Sequence, residues 1–188
     1  MQSAPGPVPG DAVYLTYEDF RHSRPVRKEE LVSQYDKEQL DFLNRALQEE
    51  TFEFERDGIR QKVRSEGVFG FVQNSTLYLN YNARFYRVPV FGAISYFVAS
   101  VVVRNTFYDP RFGYPSGTTT TTELREFVMN FYDGKTEDLT VQKAEELLSR
   151  DPALYADFRK LRRRRQREEM YRYIRLYNER HPVYFLKS

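Results

Sequence analysis

The chain contains no cysteine among its 188 residues. That absence excludes disulfides, thiolate nucleophiles, thiolate metal sites and a lipidated N-terminal cysteine, and leaves the compartment open. Histidine is nearly absent. His22 and His181 stand far apart, each beside arginine or proline, so neither a two-histidine metal motif nor a Ser-His-Asp chain can be assembled from spacing. No stretch approaches the ~20 apolar residues that a membrane-spanning helix needs. The longest candidate, Ala93 to Val103, has the length of a strand and is interrupted by Ser95 and Ser100. No integral membrane span is therefore expected.

Other chemical signatures are missing as well. Gly67-Val68-Phe69-Gly70-Phe71 has two glycines and no following lysine at phosphate-loop spacing, so it reads as a bend or bulge in a curved strand. The pairs Glu18/Asp19 and Glu145/Glu146 are sequence neighbours, which aims the two carboxylates in different directions in a helix or a strand. No catalytic residue, metal ligand or cofactor site is read from the sequence. An enzyme assembled from Tyr, Arg and carboxylate side chains across a sheet stays open as one alternative.

What is present is a folding composition: 40% hydrophobic and 16% aromatic residues, with 30% charged residues to keep the surface wet. The length suits one domain with a helical extension, large enough to bury a core without staples. Residues 1–12 form a Pro/Gly leader with neither a basic n-region nor an apolar h-region. Two explanations fit: a cytoplasmic protein with a floppy start, or a mature protein whose signal peptide was removed ahead of Gln2.

Residues 13–140 read as a β-rich domain. Val13, Leu15 and Tyr17 alternate with polar positions as a half-buried strand would, and a short helix is expected near 36–48, with Asp36 as its N-cap and Leu40, Leu43 and Leu47 on one face. From Thr51 to Val103 about six short strands follow, punctuated at Asp57-Gly58, Asn74-Ser75, Tyr81-Asn82 and Phe91-Gly92. The expected fold class is α+β: a curved antiparallel sheet or small β-barrel of about six to seven strands, a short N-terminal helix and a long basic C-terminal helix. Residues 105–122 collect Pro, Gly, Ser and five consecutive threonines and read as a long surface loop, with Phe107, Tyr108, Phe112 and Tyr114 as exposed rings. Leu124 to Tyr132 reads as a last strand.

Residues 141–188 read as helical. Val141 to Leu148 carries an apolar face, and Asp151-Pro152 is the N-cap and first position of a helix running to about Glu179, where His181-Pro182 stops it. Between Arg162 and Glu169 no apolar residue occurs, so this segment is expected to leave the body of the protein. From Pro152 to Ser188 eleven Lys/Arg face four Asp/Glu, a local +7 in a chain whose net charge is +2. Clustered arginines engage phosphates or acidic surfaces bidentately, whereas the plainer reading is a solvated helix. Met170, Tyr173, Ile174 and Tyr177 form an apolar stripe that packs either on the protein itself or on a partner.

Four segments resemble an uncharacterised family of predicted exported proteins from Gram-negative bacteria of the gliding and gut-dwelling phylum. They are Tyr14 to Phe20, Leu77-Tyr78-Leu79-Asn80, Phe85 to Gly92, and Tyr177-Asn178-Glu179-Arg180-His181-Pro182. The resemblance implies a periplasmic protein with its signal peptide removed and no known activity. The expected function is a non-enzymatic accessory or protein-interaction module of a cell-envelope assembly. Arg162, Arg163, Arg164, Arg165 and Arg167 are the expected contacts to an acidic surface, and Tyr108, Phe112, Tyr173 and Tyr177 the apolar anchors. A cytoplasmic nucleic-acid binder using Arg162 to Arg167 is the alternative.

Overall fold

The computed structural model describes residues 10–108 and 115–185. Among them it is an α+β fold with three antiparallel sheets and five α-helices. The five-stranded sheet has the order β2-β1-β6-β7-β8, built from β1 (Ala12–Tyr14), β2 (Val26–Arg27), β6 (Gly70–Gln73), β7 (Thr76–Tyr81) and β8 (Arg84–Arg87). A second sheet joins β3 (Leu31–Val32), β4 (Thr51–Arg56) and β5 (Ile59–Arg64), and a third joins β9 (Ile94–Tyr108), β10 (Pro115–Asn130) and β11 (Thr136–Asp138). The six strands expected between Thr51 and Val103 all form, but they are divided among these three sheets. They make neither one curved sheet nor a closed barrel among the described residues.

Local chemistry explains the hairpins. Asp57 and Gly58, Asn74 and Ser75, and Asn82 and Ala83 all take positive φ, the conformation that two-residue hairpin loops require for their twist to match that of the strands. Two cores lie on either side of the five-stranded sheet. Strands β1 and β6 are buried along their whole length, with Val13 and Phe71 facing one core and Tyr14 and Val72 the other. That two-sided burial is why the alternation read at Val13, Leu15 and Tyr17 misleads. The strand ends at Tyr14, and Thr16 caps helix α1 (Tyr17–Arg21), accepting from the Asp19 N–H at 3.0 Å.

The smaller core packs helix α2 (Phe42–Ala46) against β3 and β4. The helix expected over 36–48 is thus confined to its last turns. The Leu40 carbonyl accepts from the side chains of Asn74, at 2.8 Å, and Gln73, which ties the preceding residues into turns and leaves Leu40 77% exposed.

The larger core joins β9 and β10 to three C-terminal helices, α3 (Val141–Leu148), α4 (Pro152–Lys160) and α5 (Arg163–Arg180). Helix α3 has the bounds read from its apolar spacing, capped by Thr140. Asp151 caps α4 as expected, accepting from the Leu154 N–H at 3.0 Å, with Pro152 in the first turn. The single long helix is instead two. Leu161 and Arg162 are extended, and the chain re-enters a helix at Arg163. Gln166 closes the break: its side chain is buried and donates at 3.2 Å to the Phe158 carbonyl, which also accepts from the Leu161 N–H at 3.1 Å at the end of α4.

That contact corrects the expectation that the arginine interval leaves the body. Gln166, Met170, Ile174 and Tyr177 form one continuous buried stripe, in which a hydrogen-bonded glutamine takes the place of an apolar residue. The apolar stripe packs on the protein itself.

The largest departure is at residues 105–122. Their described part is strand: β9 and β10 pair from Tyr108/Pro115 down to Ile94/Asn130, with one irregularity between Pro115 and Gly117. Strand β11 covers β10 only at Phe127 to Met129, so beyond its base the hairpin stands as a two-stranded arm.

Candidate interaction surface

The arginine segment lies on the outside of α5 and is largely paired. Arg163 reaches Glu145 of α3 at 3.4 Å, while Arg164 and Arg165 reach Glu168 at 3.0 and 3.3 Å. Such exposed pairs add little stability, about 0–1 kcal/mol each, but they cancel much of the field that the sequence suggested. Arg162 and Arg167 are exposed and have no carboxylate partner among the described residues.

Of the four expected anchors, Tyr173 and Tyr177 have described side chains. Tyr177 is buried against the core, and Tyr173 is half-buried with its ring edge-on to Phe158 at 4.9 Å between centroids. Both are occupied in holding α5 to the body. Phe112, and the side chain of Tyr108, lie outside the described residues.

The arm supplies an apolar surface instead. Cross-strand pairs share a face of a ribbon, so the pairs Val98/Glu126, Ser100/Leu124 and Val102/Thr122 all project to one side. On that side Val102 is 65% and Leu124 76% exposed, and Val98 is exposed beside them. At the base the same face carries Tyr96, whose ring meets that of Tyr171 on α5 edge-on at 5.1 Å. Tyr171 is 39% exposed. Asn178 of α5 holds Ile94 and Tyr171 holds Tyr96, so α5 runs antiparallel to β9, and Arg167 lies one helical turn beyond Tyr171 in the direction of Val98. The result is a strip of Tyr171, Val98, Leu124 and Val102 with a basic margin.

The strip is held in place. Tyr96 donates to Glu126 at 2.7 Å across the hairpin, and burial, reinforced by that carboxylate, pushes its phenol well above the ordinary range. The opposite face of the arm packs Phe97 and Phe127 into the core, and a cleft of about 580 Å³ lies between the arm and β7–β8, lined by residues of both faces, Val102 and Thr122 as well as Val101 and Arg125, with Arg84 and Asp138. Arg125 is paired with Glu123 at 3.3 Å.

Titratable groups also converge at the start of α4. Asp151 accepts from Leu154 N–H and lies 3.2 Å from both Arg180 and His181, tying the start of α4 to the end of α5. The helix N–H first, then the Arg180 and His181 side chains, hold this carboxyl below its usual range. A carboxyl depressed by folding contributes stability above its unfolded pKa, and that contribution is lost as pH falls through the folded value. Asp151→Asn retains a capping side chain but not the charge. It should therefore melt below the wild type at neutral pH, and the two melting temperatures should converge on acidification. A difference that persists unchanged into acid would assign the effect to capping alone. Among the described residues there is no group of three His, Asp or Glu arranged to hold a metal ion.

The strip is not legible as a site in the sequence because Val98, Val102 and Leu124 fall in strands and Tyr171 in a helix, and only the strand register brings them onto one face. Comparison of the chain with protein-family models, with curated proteins and with solved structures gave no match.

Proposed function

We propose that this protein is a non-enzymatic interaction module that binds a protein partner on the outer face of the β9–β10 arm. The observation that carries the reading is the solvent exposure of Val102 and Leu124 on one face of a paired ribbon, in line with Tyr171. Apolar side chains grouped on one exposed face of a projecting ribbon form a patch of the kind that marks an interface. Arg167 provides a basic margin, so the fitting partner is an apolar surface with an acidic rim. The resemblance to exported proteins supports a periplasmic setting in an envelope assembly.

A photoreactive residue replacing Val102 tests this in cells that express the protein at its native level. The expected result is one defined protein adduct from position 102 that is absent when the same group replaces Leu40, an equally exposed leucine near the smaller core. No adduct at 102, or the same adducts from both positions, would overturn the reading. An adduct to nucleic acid would transfer the function to the rival reading of the arginine segment.

A further inference from the structure

The arm has edges as well as faces, and the two edges differ. In β10, Glu126 O accepts from Leu139 N at 2.8 Å and Asn130 N donates to Lys135 O at 3.0 Å. Even-numbered residues of β10 thus direct their N–H and C=O away from β9, and the odd-numbered ones exchange hydrogen bonds with it. Strand β11 uses this outward row only near the base. From Thr118 to Leu124 the row has no partner among the described residues. The edge of β9 is different. There Tyr96 N donates to Val90 O at 2.8 Å, Tyr86 Oη donates to Ser100 O at 3.3 Å, and Arg104 places a charge further out. Residues 117–122 of β10 carry no charge and no proline, the usual devices that keep an edge from pairing.

We propose that this open edge of β10 pairs with the same edge of a second copy, antiparallel about a two-fold axis, so that two arms merge into one four-stranded sheet. The inference rests on reading the arm as an interaction surface, and it identifies the partner of the edge rather than of the face. Self-pairing is favoured by the sequence of the edge itself. With the axis at Thr120, Thr121 or Thr122, threonine meets threonine across the centre. Glu123 and Arg125 then fall opposite residues between 115 and 121, none of them charged. No like charges oppose one another, and the contact is self-complementary, as a two-fold interface requires. A two-stranded ribbon is marginal alone in water, whereas four paired strands are not. With the axis at Thr121 or Thr122 the merged sheet also sets Leu124 of each copy opposite a threonine of the other, widening the apolar face.

Sedimentation or light scattering of the full chain over a wide concentration range is the first measurement. The mass should rise from 22.5 kDa towards twice that value. Thr120→Pro removes an outward N–H that the hairpin does not use, a position where an edge strand tolerates proline. It should weaken association about tenfold or more, because the two-fold axis removes the donor twice, while melting temperature and circular dichroism stay those of the wild type. Because the chain has no cysteine, single cysteines at positions 118 to 123 report the register without background. Oxidation should yield a cross-linked dimer with one sharp maximum, since only the residue at the axis meets its own copy within disulfide reach. A mass that stays at the monomer value, a dimer indifferent to Thr120→Pro, or cross-linking without positional preference would each overturn the proposal. A monomer that still captures a foreign protein through Val102 would refute the dimer alone, and a dimer that captures none would refute the docking face alone.

Discussion

Phe20→Ala should cost about 3–5 kcal/mol of stability, the range for deleting a buried aromatic ring, and lower the melting temperature by on the order of 10 °C. Phe20 has no solvent exposure and stands at the centre of five rings: Tyr14 at 5.1 Å, Phe69 and Phe185 at 5.2 Å, and Phe91 and Phe131 at 6.1 Å between centroids. These rings come from β1, from the residue before β6, from the segments flanking β9 and β10, and from the residues after α5. Rigid aromatic neighbours relax poorly into a vacated volume, so the cavity contribution stays near its full size. Phe20→Leu keeps most of the volume and should cost about 1 kcal/mol. Chemical denaturation of the three proteins checks this, and equal losses for leucine and alanine would show that ring packing is not what matters at this position.

Asn178→Ala is the second large effect. The Asn178 side chain accepts from Ile94 N–H at 2.9 Å and donates to Ile94 C=O at 2.8 Å, so it completes the first residue of β9 as a neighbouring strand would. Ile94 is buried, and truncation leaves both of its backbone groups unpaired at a cost of about 2–4 kcal/mol. The same amide lies against Gly92, where any β-carbon would collide with it. Gly92→Ala should therefore also destabilise the protein, and the two changes should not add. Removing Asn178 clears the space that a methyl group at position 92 needs, so Gly92→Ala should cost far less in the Asn178→Ala background. Additive losses in that double-mutant cycle would show that the collision is not the source of the Gly92 effect.

Phe20, Gly92 and Asn178 lie in three separate segments of the chain. The fold gives those segments a structural role, since Gly92 meets Asn178, and Phe20 meets Phe91. Patterns with strong local causes were readable from the residues alone: the Asp57-Gly58 and Asn74-Ser75 turns, the α3 helix with its apolar face, and the Asp151-Pro152 start of α4. What stayed hidden depended on long-range pairing. Gln166 looks solvated until the Phe158 carbonyl is placed beside it. Thr118 to Thr122 follow Pro115, Ser116 and Gly117, and those neighbours suggest a loop. Yet threonine is β-branched and suits a strand, and Val102 to Thr106 opposite supply the pairing that decides the matter. The candidate site was missed for the same reason, because a surface strip exists only once the register of the two strands is known. The arginines that stood out in the sequence are largely neutralised by Glu145 and Glu168, one of them on another helix.

Residues 98–106 and 118–126 form a paired arm with an open edge. Residue-resolved amide hydrogen exchange tests it most directly. In dilute protein, odd-numbered amides such as Val101, Val103, Thr119 and Thr121 should exchange slowly because they bond across the hairpin. The even-numbered amides of Val102, Arg104, Thr120 and Thr122 should exchange fast. At high concentration Thr120 and Thr122 should slow while Val102 and Arg104 stay fast. Fast exchange at odd and even positions alike would contradict the paired arm, and slow exchange of Thr120 and Thr122 in dilute protein would show that the edge is already covered.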